Sequence, residues 1–285
     1  MNIVLTSALR SVRRLPFVDV AAVLFLLLII ASALAAPLLA THDPAAVNPL
    51  TRLKPPSEAF LLGTDAVGRD LFSRILYGGR VSLLLGASAA VLCIAIGLLV
   101  GLLCGYIRVF DTIVMRIVDG LMAIPSILLA VGIVALSGSG FSTVLIAISV
   151  PEIPRVVRLV RSVVLTAKQE PYVEAARTLG SPTRKILYRH LLPVTLAPLM
   201  VQASYIWASA ILTESVLSFL GCGITPSIPT WGNIMADGRN YFQLLPSPVL
   251  WPGLFLSLTI LSINIIGDFL RDGLDPKLRN VRAAA

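Results

Sequence analysis

Most of this chain is too apolar for water. Apolar runs with few charges recur at about 18–40, 81–105, 114–136, 141–161, 194–217 and 249–270. A helix needs about 20 such residues to cross a hydrocarbon core of about 30 Å. Hydrophobic residues make up 56% of the chain and charged residues only 13%, against roughly 25% charged in soluble domains. The pattern predicts an all-α polytopic membrane protein with six transmembrane helices. Pro151, Glu152 and Pro154 interrupt the fourth run and predict a kink or break there. Arg10, Arg13, Arg14 and the sequence ALAAP (Ala33–Pro37) give the first run the outline of a signal peptide. Its apolar stretch of about 23 residues exceeds the usual h-region of about 7–15, so a retained span is expected.

The net charge of +8 is explained by topology. Lys and Arg collect in the tail 1–17, the short connection after the second run (Arg108, with Arg116 just inside the third), the connection after the fourth, and the tail 271–285. The fourth-to-fifth connection is the richest, with Arg155, Arg158, Arg161, Lys168, Arg177, Arg184, Lys185 and Arg189. The opposite side holds Arg52, Lys54, Arg69, Arg74, Arg80 and Arg239. The positive-inside rule then places both termini in the cytoplasm of a multi-pass membrane protein. Nucleic acid is not an expected partner; the bilayer is. Cys93, Cys104 and Cys222 fit neither a disulfide framework nor a zinc spacing. With two histidines and no HExxH, Walker A or G-x-S-x-G motif, neither a catalytic residue nor a metal site is expected.

The stripe Ala89, Cys93, Gly97, Gly101 and Gly105 puts a small residue at every fourth position of the second run. Such a stripe lets another helix approach closely; a substrate-facing role is the alternative. Residues 41–80 form an exterior loop. Within it, LGTDAVGRDLFSRILYGGR (Leu62–Arg80) predicts a short amphipathic helix at the outer interface, with Leu71, Phe72, Ile75 and Leu76 on one face and Gly78–Gly79 ending it. Asp65, Arg69 and Asp70 there serve either a structural elbow or an outer lid or docking surface. A second exterior connection, about 218–248, carries turn residues, with Trp231 and Tyr241 suited to an interfacial belt. Glu214, near the outer end of the fifth run, is costly in lipid. It is expected to be a hydrogen-bonding partner within the protein or part of the pathway or its outer gate.

One polar stretch, YVEAARTLGSPTRKILYRHLLP (Tyr172–Pro193), is closely punctuated. Pro171 suits the first position of a helix, Glu174 its positive N-terminal end, and Gly180 the left-handed residue after it. Ser181 is expected to cap a second helix, with Pro182 in its first turn. A short, slim, capped helix can enter a groove on another protein or lie on the membrane surface.

The residues Glu174, Ala175, Ala176 and Gly180, followed by Leu192–Pro193, resemble the EAA loop of ABC-importer permeases, although His190 stands where that family usually has a branched aliphatic residue. LGTDAVGRDLFSR (Leu62–Arg74), Thr230–Gly232 and GDFLRDGLDPKLR (Gly267–Arg279) resemble more narrowly the C-type permease of dipeptide, oligopeptide and nickel importers. The resemblance implies the type I importer permease fold, with a transmembrane core over 81–270 and a cytoplasmic coupling loop at about 165–193. It implies that Tyr172, Val173, Glu174, Ala175, Ala176, Arg177, Leu179 and Gly180 form a coupling helix docking on an ATPase. Its implied partners are a homologous second permease (a heterodimer), two ATP-binding subunits that bind ATP and Mg, and an extracytoplasmic substrate-binding protein. This chain itself is then no enzyme and holds no cofactor. Di- or oligopeptides are the implied cargo, with nickel, another metal chelate, glutathione or an opine as alternatives. A secondary transporter is the alternative of a different class; it would usually need coupling-ion carboxylates near mid-bilayer.

Overall fold

A computed structural model describes residues 17–274, so most of both expected tails lies outside the described residues. The elements are α1 (Phe17–Leu34), its short continuation α2 (Ala36–Leu39), α3 (Leu71–Tyr106), α4 (Arg108–Met122), α5 (Ser126–Ser137) and α6 (Phe141–Ala167). They are followed by α7 (Pro171–Thr178), α8 (Thr183–Ile186), α9 (Leu192–Phe219), α10 (Trp231–Gly238) and α11 (Ser247–Leu274). Segment 41–70 and residues 220–246 share one end of the bundle. Arg69 Nη2 donates to Asp237 Oδ2 at 3.0 Å and Arg52 Nη2 to Tyr241 Oη at 2.8 Å. We call this the loop end. At the opposite, hairpin end, Lys168 Nζ donates to the Gly105 carbonyl at 2.9 Å.

Among the described residues, four stretches are long and apolar enough to cross a membrane: Phe17–Leu34, Leu71–Tyr106, Thr183–Phe219 and Ser247–Gly273. The pair α4–α5, bent by 88°, makes a fifth if it is one span. The expected six is not reached on this measure. The shortfall is α6, which has 27 residues but carries Glu152, Arg155, Arg158 and Arg161.

The small-residue stripe is the seam of the bundle. Gly97 faces Val156, Gly101 faces Val160 and Gly105 faces Val164, so α3 and α6 run parallel in one register. A Cβ added at these glycines would lie 2.5, 2.6 and 2.5 Å from the valine Cβ atoms. No larger residue permits that approach, and dispersion over such contacts is what holds helices together in lipid. The same clamp bears on the prolines of α6. Pro151 and Pro154 sit inside a continuous helix, and the expected break is absent, because α3 packs along α6 and holds it. Cys93 Sγ in the stripe also donates to the Ser149 carbonyl at 3.6 Å.

The expected interfacial helix ending at Gly78–Gly79 is likewise corrected. Those residues lie inside α3, which runs unbroken from Leu71 to Tyr106. The two glycines form a slot for the start of α10. A Cβ at Gly79 would meet the Trp231 ring at 2.9 Å, and one at Gly78 would meet the Thr230 carbonyl carbon at 3.2 Å. Trp231 does not sit in an interfacial belt. It is 1% exposed, packs with Leu71, Ile75 and Ile234, and donates its indole N–H to the Ile75 carbonyl at 3.1 Å. A buried tryptophan needs that acceptor.

Candidate coupling face

At the hairpin end, α6 stops at Ala167 and the chain turns through Lys168–Glu170. Glu170 is extended (φ −70°, ψ 142°), as a residue before proline prefers, and Pro171 opens α7. Glu174 occupies the first turn, where the helix dipole favours a carboxylate. The helix ends in a Schellman motif. Gly180 has φ +74°; its N–H donates to the Arg177 carbonyl at 2.9 Å, and the Ser181 N–H to the Ala176 carbonyl at 3.0 Å. Two orphan carbonyls are thereby satisfied. Ser181 does not cap the next helix as expected. Its N–H is committed to the Schellman turn, and Pro182 takes the cap position of α8 without a side-chain bond.

After α8 a π turn, Leu187–Leu191, joins directly to α9, so the polar stretch and the fifth apolar run form one rod. The Leu192 N–H returns to the Leu187 carbonyl, five residues back. Pro193 has no N–H, and in a regular helix its ring would collide with the Arg189 carbonyl. The wider turn relieves that collision.

The hairpin has two faces. Val173 (0% exposed) and Ala176 (7%) face inward. Val173 joins a cluster with Val164, Ala167, Ile186 and Leu191. Tyr172, Glu174, Ala175, Arg177, Leu179 and Gly180 are exposed, Leu179 to 84%. The eight sequence-singled residues therefore divide into two that seat the helix on its own chain and six that present a surface. Tyr172 also stands beside His190, with ring centroids 6.0 Å apart. Tyr188, 73% exposed, was not singled out, since nothing in its spacing marks it.

The hairpin is anchored to α4 through α6. Arg161 forms a two-pronged pair with Asp111 (Nε to Oδ1 2.5 Å, Nη2 to Oδ2 2.7 Å). Arg158 Nη2 lies 2.5 Å from Asp119 Oδ1. Reading these arginines only as topology charges hid their partners, because both aspartates are distant in sequence.

The comparisons agree with this geometry. The family described as binding-protein-dependent transport system inner membrane component matches residues 80–280, which include the whole hairpin. The chain belongs to that family of inner-membrane permeases. A probable peptide ABC transporter permease protein of Sinorhizobium fredii is 46% identical over 250 residues, covering 88% of this chain and 86% of the relative. A di/tripeptide transport system permease protein of Pseudomonas aeruginosa is 44% identical over 264 residues, covering 90% and 87%. The fold is similar to a chain of the MetNI methionine ABC transporter in an inward-facing conformation, with a TM-score of 0.57 at 20% identity, covering 71% of this chain and 96% of that one.

At the loop end, the permease builds a second polar cluster. Asp65 Oδ1 accepts from the Val67 and Arg69 amides at 2.9 Å each, and its Oδ2 from Arg69 Nε at 2.6 Å. Arg74, 1% exposed, lies 3.7 Å from both Asp65 and Asp237. Asp70 caps α3 by accepting from the Ser73 amide at 3.0 Å and hydroxyl at 2.6 Å, and it also accepts from Thr41 Oγ1 at 3.0 Å. The side chains of Asp65, Arg69 and Asp70 are 4%, 13% and 0% exposed. Their charges hold the loop against α3 and α10. Glu214, 0% exposed, accepts at Oε1 from Ser218 Oγ (2.7 Å) and Thr230 Oγ1 (2.8 Å). It ties α9 to the start of α10 from inside the protein.

Proposed function

We propose that this permease carries di- or oligopeptides across the bacterial inner membrane as one half of a heterodimeric channel. Two separate ATP-binding subunits supply the energy, binding ATP and Mg at their own sites, and an extracytoplasmic protein delivers the solute. The hairpin end and both termini lie in the cytoplasm in this reading, in line with the basic residues gathered there. The observation that carries it is the capped helix α7, seated by Val173 and Ala176 and presenting Tyr172, Glu174, Arg177 and Leu179 outward. It sits on a bundle whose relatives are named peptide permeases.

The geometry supports a rigid lever. Val173, packed with Val164 and Ala167 of α6 and with Ile186 and Leu191 at the start of the α9 rod, seats α7 on two spanning elements, so a displacement of α7 is passed to α6 and α9 together. An ATPase pair whose closure changes the contacts at α7 thereby shifts the bundle between openings. The full complex, co-expressed with its partner genes and reconstituted in vesicles, tests this directly. Uptake of labelled di- and tripeptides should require internal ATP. Uptake driven by an ion gradient without ATP would support a secondary carrier and remove this reading.

A further inference from the structure

The corner between α4 and α5 is exposed where lipid does not tolerate it. The register of α3 against α6 fixes its depth. The apolar stretch of α3 runs between Arg80 and Arg108, and a hydrocarbon core of about 30 Å takes about 20 of those residues. Arg155 sits beside the Val156 that faces Gly97, and Arg158 lies between the valines that face Gly97 and Gly101. Both arginines are therefore inside the layer. Asp119, 2.5 Å from Arg158, lies at the same depth, four residues before Ala123. The side chains of Arg155, Arg158 and Asp119 are 41%, 45% and 57% exposed.

At that depth the backbone leaves helical geometry. The helices meet at 88°, and Ala123, Ile124, Pro125 and Ser126 are all exposed. The first amide to return to the Pro125 carbonyl is that of Leu129. The amides of Ser126, Ile127 and Leu128 precede it, and no side chain caps them. Gly120 and Gly132, on either side of the corner, have open space where a Cβ would be. In lipid each unsatisfied amide costs several kcal/mol. A dry protein contact would strip water from the partly exposed charges, which interface cores generally avoid. Water satisfies both groups.

We infer that the α4–α5 corner, with Asp119, Arg155 and Arg158, is a wall of the aqueous solute path at mid-membrane. Arg155 donates to Glu152 at 2.7 Å and Arg158 to Asp119 at 2.5 Å; a zwitterion suits the second pair by exchange, its carboxylate taking the Arg158 guanidinium and the uncapped amides and its ammonium taking Asp119. This deepens the peptide-permease reading and rests on it for the class of solute, though not for the position of the path.

The test uses the full complex in vesicles, with Cys222→Ser as background, the buried Cys93 and Cys104 kept, and one cysteine added at a time at Ala123 or Ser126. Leu28, 63% exposed on the peripheral helix α1, is the lipid-facing control. A charged, water-soluble methanethiosulfonate reagent attacks only a hydrated, ionised thiol. Labelling at Ala123→Cys and Ser126→Cys should be at least about tenfold faster than at Leu28→Cys, since thiolate forms only in water. A dipeptide transported by the wild-type complex should slow it. Rates at both corner positions equal to that of Leu28→Cys overturn the proposal, as does labelling that no transported solute slows. Arg158→Gln should raise the KM for a free-carboxylate dipeptide more than for its C-terminal amide; equal effects on the two remove the zwitterion assignment. If the wild-type complex moves no peptide, the peptide reading falls on that result alone, while rapid labelling still locates the path.

Discussion

Gly101 is the middle contact of the seam, with the still closer Gly97 and Gly105 on either side of it. A side chain there must displace Val160, whose Cβ would lie 2.6 Å from the added carbon. Gly101→Val should destabilise the bundle by about 1–3 kcal/mol or more, the usual cost of overpacking, read as a lower thermal midpoint of the purified complex. Glu214 separates two kinds of loss. Glu214→Ala strands the Ser218 and Thr230 hydroxyls without their shared acceptor and should cost about 1–3 kcal/mol. Glu214→Gln keeps a carbonyl oxygen at that point and should cost less. Equal midpoints for the two variants would show that the acceptor at Oε1 contributes nothing. The small stripe itself was legible in the sequence, because its spacing has only one common use. The acceptor role of Glu214 was one of two readings, because its donors lie on α9 and at the start of α10, which chain order does not bring together.

At the scale of the element, α7 shows how correctly read helix ends can go with an incorrect picture of its faces. Ala176 was expected to meet a partner's groove, yet it is 7% exposed and turned toward its own chain. Ala176→Trp should therefore lift α7 from its seat, lowering the thermal midpoint of the permease and its capture of ATPase subunits together. Leu179→Ala removes an 84% exposed side chain and should leave permease stability within about 0.5 kcal/mol, while reducing co-purification of the ATPase subunits. Unchanged co-purification would take Leu179 off the docking face. Gly180→Val forces a β-branched residue into φ +74°, at roughly 1–2 kcal/mol, and should loosen the Schellman turn; loss of coupled transport with α7 still docked is the expected reading in vesicles. Start and stop residues were legible because proline and glycine act locally. Which residues face inward was not, because an eight-residue helix with apolar groups on several sides can be seated in more than one way, and the partners of Val173 come from α6, α8 and the π turn.

At the scale of the molecule, the loop end is braced by charge as the interior is braced by packing. Asp65→Ala would leave Arg69 and the buried Arg74 sharing Asp237 without the more buried Asp65, a loss of about 3–5 kcal/mol for a broken buried pair. The readout is the thermal midpoint, and a shift near zero would mean that Asp237 alone suffices. Apolar runs and a punctuated polar stretch were enough, from sequence alone, to predict a polytopic helical protein with a short helix and turn outside its spans, because hydrophobicity and helix punctuation are properties of neighbouring residues; the permease family came from the resemblance of several motifs. Tertiary structure alone decided that Gly78–Gly79 form a slot rather than a stop and that Pro151 and Pro154 ride in an intact helix. It also decided that Arg158 of α6 pairs with Asp119 of α4 near a corner bent by 88°. Those outcomes depend on what packs against each residue, and the partners come from segments far apart in the chain.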